Sequence, residues 1–255
     1  MRSITGWKKI MVLAAGLVLS AVVLRAQTTR EVTEVSRLWL GYFNQARFTK
    51  HLGMWTDLHY RTSFTADPGL NLAMGRIGAV WYLHDQVRFT AGYAYIHHAP
   101  AAGHQFVAQP EHRPWIQLQW FGRYPRLRTM QWLRLEERYR RNILDDYTLG
   151  EGYYAATRLR YNFALFIPLG AKPFQPNTVF GVLNDELHMN LGKVTQYFDQ
   201  NRAFAGLGYQ VNPHMQVHVG YMQLFQPRSG AGQFTLTHAL RVFVFHNLSW
   251  YHPKS

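Results

Sequence analysis

The chain has 255 residues, 47% of them hydrophobic, 15% aromatic and only 16% charged. A charged share well below the usual quarter, with so many aromatics, excludes a disordered chain or a basic nucleic-acid tail. It holds no cysteine, which excludes a disulfide framework, a thiol nucleophile, thiolate metal sites and a lipid-anchored N-terminal Cys.

Residues 1–26 have the three-part form of a secretory signal. Lys8 and Lys9 give the positive start, Ile10 to Leu24 is a 15-residue apolar run broken only by Gly16 and Ser20, and Leu24-Arg25-Ala26 offers a small residue at the cut. A retained transmembrane helix would need about 20 apolar residues. No later segment reaches that length without a charge. The expected mature chain therefore starts at Gln27 and forms one domain over residues 27–255. Without Arg2, Lys8, Lys9 and Arg25 it keeps 23 basic residues against 14 acidic ones. Most of the 23 are Arg, spread along the chain rather than gathered in a helix or tail. That distribution argues against nucleic acid as a partner.

Beyond the leader the pattern has period two, the mark of strands with two chemically different faces. Trp55, Asp57, His59 and Arg61 alternate with Thr56, Leu58, Tyr60 and Thr62. Arg76, Gly78, Val80 and Tyr82 alternate with Ile77, Ala79, Trp81 and Leu83. Arg158, Arg160, Asn162 and Ala164 alternate with Leu159, Tyr161, Phe163 and Leu165. Turn signals separate the runs, among them Ala66-Asp67-Pro68-Gly69, His84-Asp85, Tyr124-Pro125, Leu169-Gly170, Asn212-Pro213 and Ser229-Gly230-Ala231-Gly232. Eleven strand candidates result, near residues 35–46, 52–63, 71–83, 87–98, 112–122, 127–140, 153–166, 178–189, 202–211, 215–225 and 234–248. Longer connections fall near 99–111, 141–152 and 190–201. A basic helix over Tyr124 to Asn142 is the competitor, but the alternation of Trp132, Arg134, Glu136 and Arg138 favours a strand.

Three features say which face points outward. Runs of eleven or more residues exceed the usual strand of about 5–6 and meet the roughly 9–11 needed for a tilted membrane crossing. The apolar rows carry Trp81, Tyr93, Tyr95, Trp120, Tyr161 and Tyr209, which suit an interfacial aromatic girdle. The polar rows set Arg beside carboxylate, and Arg is the cation suited to enclosed bidentate networks. The expectation is an all-β chain: a single antiparallel transmembrane β-barrel with a charged lumen, in the outer membrane of a Gram-negative bacterium. Such barrels have even strand numbers. Twelve strands are therefore expected, with a short one inside 99–111 or 141–152, or ten if a pair merges.

Several segments resemble the DUF2490 family, a set of predicted outer-membrane barrels of unknown function. They are Leu38-Trp39-Leu40-Gly41, Arg134-Leu135-Glu136-Glu137-Arg138-Tyr139, Arg158-Leu159-Arg160-Tyr161, Asn184-Asp185-Glu186-Leu187-His188-Met189-Asn190, and Asp199-Gln200-Asn201-Arg202 followed by Gly206-Leu207-Gly208-Tyr209. Gly220-Tyr221-Met222 and His238 fit as well. The resemblance spans nearly the whole mature chain and implies the barrel fold, but no activity.

The candidate lumen set is Asp57, His59, Arg61, Arg76, Arg134, Glu136, Arg138, Arg158, Arg160, Glu186, His188 and Arg202, with Arg88 and His218 on the same rows. Two roles are open to it. Small barrels are filled by their own side chains, which favours a structural salt-bridge network around at most a narrow pore. Rings of Arg also select phosphate and carboxylate solutes, which gives an anion-selective diffusion channel. The expected surroundings are outer-membrane lipid and lipopolysaccharide outside and a small anionic solute within.

Other chemistry is poorly supported. His97, His98, His104 and His112 cluster in sequence but match no compact ligand spacing, so neither metal nor cofactor is expected. An outer-membrane lipase is the enzyme alternative. Ser36, Ser63, Ser229, Ser249 and Ser255 lie in no Gly-x-Ser-x-Gly elbow. Among acids, Asp145-Asp146 and Asp185-Glu186 are the near pairs, and adjacent strand residues face opposite ways.

Overall fold

The computed structural model describes residues 30–64, 69–170, 174–228, 230 and 232–251. The signal segment 1–26, the Ala66-Asp67-Pro68 turn, Ser229, Ala231 and Ser255 lie outside the described residues. Eleven strands form one closed barrel: β1 (Glu31–Arg47), β2 (Leu52–Ser63), β3 (Leu70–His84), β4 (Val87–His98), β5 (Gln109–Tyr124), β6 (Leu127–Ile143), β7 (Leu149–Pro168), β8 (Thr178–Leu191), β9 (Phe198–Asn212), β10 (Met215–Pro227) and β11 (Gln233–Ser249). Each pairs antiparallel with its neighbour in sequence. β1 then pairs β11 in parallel along its whole length, from Glu31↔Gln233 to Arg47↔Ser249. No helix occurs among the described residues.

This corrects the expected count of twelve. Residues 99–108 hold only an isolated bridge between Ala101 and His104, and residues 144–148 hold no strand. An even count follows only if every pair is antiparallel. Here the last joint is parallel, so the ends meet with an odd number, as also occurs in mitochondrial barrels. The first strand starts and the last strand finishes at opposite ends of the barrel. The connections are also shorter than the sequence suggested, because hairpins keep pairing past the expected ends. In the β6–β7 hairpin, for example, Arg141↔Tyr153 is followed by a register shift and then Ile143↔Leu149. Gly152, at φ +72°, supplies the backbone conformation that shift requires. Tyr124 to Asn142 is strand rather than helix, as its alternation indicated.

The barrel has a loop end and a turn end. Connections at the turn end between β3 and β4, β5 and β6, and β9 and β10 are two residues long. The outer wall is apolar at mid-strand, with Leu58, Ile77, Ile116, Leu133, Leu183, Leu207 and Leu240 exposed. Tyr60, Tyr95, Tyr139 and Tyr153 stand toward the loop end, and Tyr42, Trp81, Tyr124 and Tyr209 toward the turn end. The opposite parity of each strand points inward and carries nearly all the buried charge. Where the lumen wall needs room for a ring, a glycine provides it. A Cβ on Gly208 would sit 2.1 Å from the Phe180 ring, and one on Gly41 2.7 Å from Phe243.

Candidate functional site

The strand register decides which charges meet. Asp57 and Arg76 are direct partners across β2 and β3, and Arg76 Nε donates to the two Asp57 oxygens at 2.8 and 3.0 Å. Trp55 donates its indole N–H to the same carboxylate, and His59 Nε2 lies 3.0 Å from it. This cluster is closed on itself.

A second, larger network runs from β4 to β9. Its first node is Glu111 of β5, fully buried. Arg113 donates to it at 2.6 Å, Arg138 at 2.9 Å and Arg140 at 3.1 Å, and His98 Nε2 stands 2.8 Å away. Glu136, also fully buried, is the central node. Its register partner Arg158 donates to it at 2.7 Å and Arg160 donates to its other oxygen. Arg113 and Arg134 stand 3.5 and 3.7 Å from it. Arg160 continues to Glu186 through Nε at 2.7 Å. Glu186 also pairs with His188 at 2.6 Å and faces Arg202 at 3.9 Å.

Asp199 closes the network, receiving Arg158 Nη1 at 2.9 Å. Plain alternation would send Asp199 outward, since its neighbour Gln200 faces the lumen. The β8–β9 register slips between His188 and Met189, whose partners are Gln200 and Phe198. Asp199 is thus the extra residue of a bulge, re-aimed inward beside Gln200, which donates to it at 3.0 Å.

Of the residues expected in the lumen, Arg134, Glu136, Arg138, Arg158, Arg160, Glu186, His188 and Arg202 share this network. Asp57, His59 and Arg76 sit apart in theirs. Arg61 has no ion pair among the described residues and stacks on Trp39 instead. Arg88 bonds Gln45 and lies over Phe121. His218 packs among Phe166, Phe180 and Phe245. Five participants were not anticipated in the lumen: His98, Glu111, Arg113, Arg140 and Asp199. Arg241, equally unanticipated, lies outside the network over Phe204 and Phe243. The signal for Glu111 and Arg113 was present, because Glu111, Arg113, Trp115, Gln117 and Gln119 form one alternating row. Starting the strand at residue 112 cut the row short.

Carboxylates remain far outnumbered. The lumen encloses one cavity of about 1170 Å³ to which all eleven strands contribute. It reaches Thr33, Asn71 and Arg228 near the loop end and Pro213, Gly122 and Asn247 near the turn end. Fifteen arginines line it against two carboxylates, Glu186 and Asp199; Asp57, Glu111 and Glu136 lie buried in the wall behind. Opposite the arginines stands an apolar wall of Phe180, Val182, Phe204, Met222, Leu224 and Phe243, joined by Trp39.

The other candidate groups do not assemble. His98 faces Glu111 in the lumen, His104 bonds the Val107 carbonyl within the connection, and His112 stands on the outer wall between Tyr93 and Tyr153. No group of three metal-ligating residues occurs among the described residues. Asp185 accepts from Asn201 on the outer wall while Glu186 points inward. Asp145 and Asp146 each cap a loop N–H, of Tyr147 and Gln105 respectively. Ser63 accepts from Arg37.

A family model described as a protein of unknown function, DUF2490, matches residues 36–235. The chain belongs to the DUF2490 family. The match takes in every strand from β2 to β10 and all five lumen carboxylates, so the network is built within the family's own segment. No curated protein and no solved structure matches the chain.

Proposed function

We propose that this DUF2490 member is an outer-membrane β-barrel of a Gram-negative bacterium, exported by cleavage of residues 1–26. Its lumen acts as a narrow pore that favours anions. The membrane reading is supported by the apolar outer wall with aromatic rows toward both ends and by strands of 12 to 20 residues, more than a bilayer crossing needs. In water, so much contiguous apolar surface would drive association.

The pore reading is carried by one observation: a single cavity touches all eleven strands and residues near both ends, with fifteen arginines against two carboxylates on its surface. The buried network has a structural part in this. It fixes the arginine side chains against the wall, so that they frame the lumen instead of collapsing across it. Excess guanidinium then sets the sign of the field a solute meets. The chain carries out no chemistry in this reading.

Fractionation followed by proteoliposome swelling tests both halves. The mature protein is expected in the outer membrane, and vesicles holding it should swell faster in small carboxylate salts than in matched cationic solutes of the same size. A soluble periplasmic protein overturns the membrane half. Equal swelling rates overturn the anion preference.

A further inference from the structure

The lumen wall changes character at Trp39. From β2 to β9 it is arginine and carboxylate, and from β8 through β11 it is largely aromatic and aliphatic. Trp39 is the register partner of Arg61 across β1–β2 and of Arg241 across the parallel β1–β11 seam. The Arg61 guanidinium carbon lies 3.6 Å from the Trp39 ring centroid, Arg202 lies 5.3 Å from the same ring, and Arg241 lies 3.3 Å from that of Phe204. Stacking occupies the flat face of a guanidinium. Its N–H groups lie in the plane and stay free at the edge.

Those edges lack acceptors. Arg61 and Arg241 make no ion pair among the described residues, and the Nε of each is enclosed without a hydrogen-bond partner. Arg241 is only 8% exposed. An enclosed cationic donor with no acceptor is costly, and an anion in the cavity removes that cost. Toward the turn end the wall beside these edges is largely aromatic, with His59 and His218 packed edgewise or tilted on its rings. Phe243 and Phe245 follow Arg241 on the inward parity of β11, and Phe43 packs on both. From Arg241 to Phe245 the strand rises about 13 Å, room for most of an extended medium-length alkyl chain.

We propose that this junction binds a fatty-acid-type aliphatic carboxylate. The head takes the free edges of Arg61 and Arg241 with Arg202 beside them, and the tail lies along the phenylalanines toward the turn end. This rests on the lumen reading above and names the class of anion it accepts. A small anion meets only the arginines, and a neutral alkyl chain only the rings. An amphiphilic carboxylate meets both.

Titration calorimetry of the full protein in a non-ionic detergent tests this with sodium dodecanoate, sodium acetate and dodecanol. Dodecanoate should bind one per barrel, at least about tenfold more tightly than either comparison compound. Arg61→Met and Arg241→Met should each weaken it by about tenfold, whereas Lys193→Met, in the β8–β9 connection, should leave it unchanged. Heat-modifiable gel mobility reports whether each variant is folded. If Arg241→Met does not fold, Arg61→Met decides. Dodecanoate that binds no better than dodecanol, or equally well to folded Arg61→Met, overturns the proposal. Binding in detergent does not depend on conduction. A barrel that binds but does not conduct therefore overturns the pore alone, and one that conducts but does not bind overturns this site alone.

Discussion

Replacing Glu111 by Gln removes the one carboxylate that serves three arginines and a histidine. The side chain is fully buried, and the consequences for its partners differ. Arg113 keeps Glu136 at 3.5 Å. Arg140 loses its one ion-pair partner among the described residues, but its side chain is 35% exposed and recovers water. Arg138 loses its one ion-pair partner among the described residues, with a side chain just 15% exposed. Breaking a buried pair by removing one partner costs about 3–5 kcal/mol. With one arginine re-paired and one hydrated, the loss rests mainly on Arg138 and falls at the lower end, about 3 kcal/mol. Urea unfolding of the barrel in lipid vesicles, followed by the heat-modifiable gel shift, measures it. If the loss comes from the uncompensated cation, Arg138→Met in the Glu111→Gln background should recover about 1–3 kcal/mol of it. A Glu111→Gln barrel with wild-type unfolding, or a double variant no better than the single one, refutes the reasoning.

The other expectations use the same assay. Asp199→Asn should cost clearly less than Glu111→Gln, because Arg158 keeps Glu136 at 2.7 Å; an equal loss would mean that the bulge, not the charge, sets the stability. Leu133→Arg, on the exposed outer wall between its register partners Leu118 and Tyr161, should cost about 2–4 kcal/mol if it lies near the bilayer midplane. A neutral outcome there would argue for an aqueous exterior. Gly208→Ala should cost about 1–3 kcal/mol, since the added carbon lands 2.1 Å from a Phe180 ring that is itself fully buried; wild-type stability would show that the ring has somewhere to go.

Much of the barrel was legible in the sequence because its two faces differ so sharply in chemistry. In Arg158 to Leu165 the alternation alone assigns each side chain to a wall; the register then sets Arg158 opposite Glu136, and Arg160 reaches Glu186 diagonally, one pair along the same face. What escaped depends on relations between strands. Closure by a parallel β1–β11 seam leaves no mark in either strand's own pattern, so parity of the strand count was the wrong guide. Asp199 faces the lumen only because of a bulge, and a bulge is a mismatch between two strands, invisible in one. The apolar half of the lumen was hidden for a different reason. Phe204, Met222 and Phe243 are as apolar as the outward row, so hydrophobicity alone does not distinguish them, yet they point inward across from the arginines.

Reversal potential in a planar bilayer, with purified protein between unequal potassium chloride solutions, tests the central claim most directly. A narrow lumen framed by surplus guanidinium should conduct and reverse on the chloride side of zero. Arg241→Met and Arg61→Met together should move the reversal toward zero while leaving the folded gel mobility intact. A folded barrel that reverses on the potassium side, or that inserts and passes no current, would contradict the account.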